Sequence, residues 1–124
     1  MVKFEVDYNL KTKCIDVAKK VGFSHLDFNR IVVMKSKGSS AQRTIARCYA
    51  LGKAWQKALY MPAHYIIEVL SEKFDKLSEE EQVKTLIHEM MHIPKTFGGG
   101  FRQHDFVCSK NVNKIYAELK RMER

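Results

Sequence analysis

The pentapeptide His88-Glu89-Met90-Met91-His92 constrains this chain more than any other stretch. Residues four apart on an α-helix project side by side, about one turn apart, so a helix here would aim both imidazoles at a single point. The flanking residues supply the helix. Ser78-Glu79-Glu80-Glu81 reads as a capping box, with the Ser78 hydroxyl accepting from the Glu81 N–H and three acids favoured by the helix dipole. Val83, Leu86, Ile87 and Met90 make one apolar face, His88 and His92 project from another, and Pro94 stops the helix just after the motif.

Two imidazoles one turn apart can hold Zn²⁺ at about 2.0–2.1 Å per nitrogen, and Glu89, one position along, reaches a water rather than the ion. This H-E-x-x-H arrangement is shared by zinc hydrolases that use the glutamate as general base. Catalytic zinc takes three protein ligands and keeps a fourth position open, so a further ligand is required. Downstream stand His104 and Asp105. Gly98-Gly99-Gly100 permits the chain to reverse toward the motif. A final helix from about His104 to Met122 carries Cys108, Val112, Ile115, Tyr116, Leu119 and Met122 on one stripe, which extends back to His104. His104 is the preferred third ligand. Asp105 is the alternative, and otherwise a carboxylate supporting the ligands or the helix start.

Length and composition narrow the setting. The 124 residues, 45% of them apolar, suffice for one domain with a true core spanning 1–124. No apolar run reaches the ~20 residues of a membrane span, and the first residues lack a secretory leader, so a cytoplasmic location is expected. Cys14, Cys48 and Cys108 form no paired motif and read as small core side chains. The net charge of +8 fits a solvated surface or a polyanionic partner. Near the motif only Lys84, Lys95 and Arg102 are cationic. The charge is therefore expected away from the cleft, with nucleic acid as a tether or activator at most.

Elsewhere the patterns are shorter. Thr12–Val21 reads as a helix closed by Gly22, and Arg30–Lys35 as a buried strand. Thr44–Tyr60 reads as two strands about Gly52, although Ala54, Trp55, Ala58 and Leu59 also have helical spacing. Ala63–Leu70 reads as a strand whose leading Pro62 suits a sheet edge, leaving that edge free for an extended peptide. Tyr49, Trp55 and Tyr60 read as core aromatics, and His25 and His64 as surface or core-edge residues. Tyr116 and Arg102 are the nearest candidates for oxyanion stabiliser.

Three stretches resemble a known family: Pro62–Val69, Leu77–Glu81, and His88–Lys95 continuing through Gly98–His104. They are similar to the metallopeptidases of archaea and their viruses and phages, and more distantly to SprT-type and WLM-type proteases. The resemblance implies a compact zincin-like α+β fold with a small mixed sheet, a motif helix and a C-terminal helix bearing the third ligand. It also implies His88, His92 and His104 as zinc ligands and Glu89 as the base. The cysteine-rich module of many SprT-type proteins is absent from this chain.

Residues and resemblance together point to zinc-dependent hydrolysis of peptide or protein substrates. A metal-dependent nuclease of nucleic-acid maturation is the alternative, since some small RNA-maturation proteins combine a two-histidine helix with a later histidine. Their motif lacks the glutamate after the first histidine and reaches the third ligand over a shorter spacing. A non-catalytic, zinc-stabilised binding module is a third reading.

Overall fold

The computed structural model describes residues 1–124 as an α+β fold built on one four-stranded mixed sheet. In chain order the elements are β1 (Lys3–Val6), α1 (Tyr8–Val21), a 3₁₀ turn (Phe28–Arg30), β2 (Ile31–Lys37), β3 (Ala46–Ala50), α2 (Lys53–Leu59), β4 (Tyr65–Leu70), α3 (Ser71–Phe74), α4 (Glu79–Met91) and α5 (Ser109–Met122). The sheet order is β1-β2-β4-β3. β1 runs antiparallel to β2, β2 parallel to β4, and β3 antiparallel to β4.

The core lies on one face of this sheet. Ile31, Val33, Tyr65, Ile67 and Val69 point to it by strand alternation, and meet Cys14, Val17 and Ala18 of α1 and Leu86, Ile87 and Met90 of α4. α1 begins four residues earlier than its apolar spacing suggests. Asp7 caps it by accepting from Leu10 N at 2.9 Å, and Gly22 closes it at φ 79° as expected. β1 has no counterpart in the sequence pattern because all four of its residues are exposed, so burial imposes no alternation on it.

One expectation fails at the centre of the sheet. β4 is an interior strand, paired on both sides, so Ala63–Leu70 offers no free edge to a peptide. Its Glu68 is fully buried, an unusual place for a carboxylate. It is satisfied there by the Ser36 hydroxyl of β2, the Tyr49 hydroxyl of β3, and Arg47 of β3 at 3.6 Å. The free edge on the motif side of the sheet belongs to β3. Ile45 O and Leu51 N bond inward to Leu70 N and His64 O. Antiparallel alternation therefore turns the N–H and C=O groups of Ala46, Cys48 and Ala50 outward.

The second expected strand of the Thr44–Tyr60 stretch is a helix. Gly52 takes the cap position in extended geometry, and Tyr60 ends α2 in the left-handed region at φ 55°. None of its residues is buried, and Trp55 and Tyr60 are 62% and 94% exposed. With Tyr49 also exposed, the three aromatics expected in the core all lie outside it.

Candidate functional site

α4 forms where its capping residues put it. Ser78 Oγ accepts from Glu81 N at 3.2 Å, and Val83, Leu86, Ile87 and Met90 pack inward. The helix ends one residue before expected: Met91 is its last residue and His92 its cap. One turn still separates the two imidazoles, and their Nε2 atoms face each other at 3.3 Å. Tetrahedral coordination at about 2.05 Å places two ligand nitrogens about 3.3 Å apart, so this spacing suits a shared ion.

His92 is oriented by the loop that follows. Its Nδ1–H donates to Arg102 O at 2.7 Å, while Arg102 N donates to His92 O at 2.7 Å. This reciprocal pair fixes the ring and turns Nε2 toward His88, where it can face a metal. The loop is pinned from beneath by the buried Tyr65, whose hydroxyl donates to Gly100 O at 2.8 Å and accepts from Gly99 N at 2.9 Å. Gly99 has φ 100°, and a Cβ there would lie 2.6 Å from Leu51 O and 2.5 Å from the Gln56 amide nitrogen. Only glycine allows that approach.

The loop delivers His104, but not on a helix. Cys108 is extended (φ −147°, ψ 164°), so α5 starts at Ser109 and His104 sits in the preceding turn. The apolar stripe continues through the turn as Val107, which is buried, and this continuity mimics a longer helix in the sequence. The His104 ring nonetheless stands 5.0 Å from that of His92 and 5.8 Å from that of His88, centroid to centroid. One ligand atom from each of the three histidines falls within 4.8 Å of the others, a set that could hold a metal ion. Asp105 does not join it; its carboxylate accepts from Phe106 N at 2.9 Å.

Glu89 lies against this triad, 6% exposed, with Oε2 3.9 Å from His88 Nε2. Burial pushes its carboxyl up to about 7. Burial also lowers the His88 pKa, and the neighbouring His92 and His104 rings lower it further, which keeps the imidazole neutral and able to ligate. His25 and His64 stay apart, bonded to the carbonyls of Ile93 at 3.0 Å and Pro62 at 2.8 Å.

A cleft of about 760 Å³ opens over His88, Glu89 and His104 and runs along α4 past Thr85. Ile45 and Ala46 of the β3 edge line it, as do Ser109 and Asn113 of α5. Neither oxyanion candidate does. Arg102 stacks on Phe106 at 3.6 Å, and the Tyr116 ring lies between the ammonium groups of Lys84 at 5.2 Å and Lys120 at 5.8 Å. Of the three cations near the motif in sequence, only Lys84 lines the cleft, and Arg43 joins it from before β3. The cleft is therefore not free of positive charge. Helical spacing from His88 could have found Thr85; no local signal marks Arg43 or Asn113.

No helix is long and apolar enough to cross a membrane. No curated protein and no solved structure matches the chain. One family does, described as "Putative phage metallopeptidase", and its match covers residues 2–124. Spanning nearly the whole chain, including the three histidines and the buried glutamate beside them, that match makes this protein a member of the phage metallopeptidase family.

Proposed function

We propose that the protein is a zinc-dependent peptidase in which His88, His92 and His104 hold the metal and Glu89 is the general base. The observation that carries this reading is a buried carboxyl set beside three convergent imidazoles, at the floor of a cleft flanked by an open strand edge. Three imidazole donors and no thiolate suit zinc in a catalytic rather than a structural site. Zinc, when bound, supplies Lewis acidity toward a water and the scissile carbonyl.

The chain's own residues do the rest. The outward N–H and C=O groups of Ala46, Cys48 and Ala50 can pair with an extended peptide and lay it beside the triad. Glu89, with its carboxyl raised toward neutrality, accepts the proton of the attacking water and passes it to the departing amine. His92 keeps its orientation through Arg102 O during both transfers. A zincin-like arrangement of motif helix, sheet edge and returning loop accounts for all three roles.

The test is Glu89→Gln. The amide is nearly isosteric and cannot take up the proton. Zinc content is expected to stay at one per chain while turnover of a disordered polypeptide falls by at least about 10²-fold. Undiminished turnover in the zinc-loaded variant would show that another group is the base.

A further inference from the structure

The cleft extends well beyond the three imidazoles. Thr85, Lys84 and Glu81 stand three, four and seven residues before His88, so they line one face of α4 for about 10 Å. Ser109, Val112 and Asn113 face them from α5 at the matching i, i+3, i+4 spacing. Arg43 and Thr44 close the third side. This arm is polar, with Val112, Ile45 and Ala46 its only apolar residues.

Its charges are unequally satisfied. The Lys84 ammonium is held by Glu80 at 2.9 Å and Glu81 at 3.9 Å, so its charge is already met by two carboxylates. Arg43 has no such carboxylate: Arg30, Arg47 and Arg121 are paired with acids, whereas Arg43, Arg102 and Arg124 are not, and of these three only Arg43 lines the cleft. This exposed guanidinium is hydrated and unclaimed by any acid of the chain, and it faces a polar slot that leads to the three imidazoles, so it is free to take an anionic partner. Its planar fork and permanent charge match a carboxylate in particular.

We propose that this arm is a subsite for an acidic side chain of the substrate, with Arg43 as the specificity-determining residue. The proposal rests on the peptidase reading above and adds the class of residue the substrate must carry. Ala46, on the edge beside Glu89, lies three residues after Arg43, at most about 10 Å of backbone away. A paired peptide rises about 3.3 Å per residue. The recognised acid therefore lies within three residues of the scissile bond, on one side of it only.

Zinc-loaded protein and a disordered polypeptide first locate a cleaved bond by mass spectrometry. Peptides spanning that bond then carry Glu, Gln or Lys at each of the three positions on either side. One position should favour Glu over Gln by about fivefold in kcat/KM, the size of a solvent-accessible ion pair. The preference should shrink as salt is raised. Arg43→Gln should flatten it, and Arg43→Glu should invert it, so that the Lys peptide becomes the better substrate. Inversion cannot arise from partial unfolding, which would slow all peptides alike. Cleavage without charge preference, or a Glu preference that survives Arg43→Glu, overturns the subsite and leaves the peptidase reading standing. Refusal of every peptide, whatever its charge, removes the peptidase reading and the subsite with it.

Discussion

Glu89 carries a stability cost that can be measured without any catalysis. Its carboxyl is 6% exposed, and burial raises its pKa from 4.5 to about 7. The folded carboxyl thus holds its proton more tightly than the unfolded chain does. Below pH 4.5 both states are protonated and the residue is neutral with respect to folding. As pH rises from 4.5 through about 7 the unfolded state ionises first, and folding loses stability throughout that window. At about 1.36 kcal/mol per pH unit, the loss above neutrality is about 3 kcal/mol. For a domain of this size that corresponds to a melting shift of about 10 °C. Glu89→Gln removes the charge and keeps the shape. In chelator, the variant should therefore be more stable than the parent by about 3 kcal/mol at pH 8, with the gain shrinking toward zero near pH 4. Urea denaturation of both proteins across that range reads it directly. Added zinc should narrow the gap at pH 8, because a cation beside the carboxylate replaces part of the lost solvation. A gain independent of pH, or none at pH 8, would refute the burial argument for this residue.

Two further substitutions probe the loop that completes the site. His104 is exposed and lies in a turn, so His104→Ala should change metal-free stability by less than about 0.5 kcal/mol while weakening zinc binding, as read by competition with a chromogenic chelator. Undiminished zinc would remove His104 from the ligand set. Tyr65→Phe deletes the buried hydroxyl that bridges Gly99 N and Gly100 O, and should cost about 1–3 kcal/mol in denaturation. It should also weaken zinc retention through the same loop; unchanged affinity would show that the pin does not position the ligands.

The parts of this site readable from sequence are those set by local geometry. The Ser78 cap, the apolar face of α4 and the His88–His92 spacing depend on residues within one or two turns of each other, and all three are present. The errors arise where a local pattern has two global solutions. Pro62 before Tyr65 suggests an edge strand, yet the unbroken apolar run Tyr65-Ile66-Ile67 and the matched burial of Ile67 and Glu68 belong to a strand covered on both sides. Glu68 obscured that signal, because its partners Ser36, Arg47 and Tyr49 are distant in sequence. Trp55 and Tyr60 differ for the converse reason: side-chain size argues for burial, but α2 meets the fold through Gln56, which donates to Leu51 O and Gly98 O, and both aromatics stay exposed.

The position of His104 shows how the local and non-local parts combine. α4 carries His88 and sets His92 at its cap, whereas the third imidazole depends on a glycine turn, the Tyr65 hydroxyl and the His92–Arg102 exchange that also orients His92. Those pins connect the loop to β4 and to the end of α4, the two elements that also carry β3 and Glu89. A shift of β4 would therefore move the third imidazole and the open edge together. That shared anchorage ties the proposed peptide path to the proposed metal centre, and explains why the interior position of β4 matters to that proposal: it must be flanked by β3 for the edge beside the triad to exist at all.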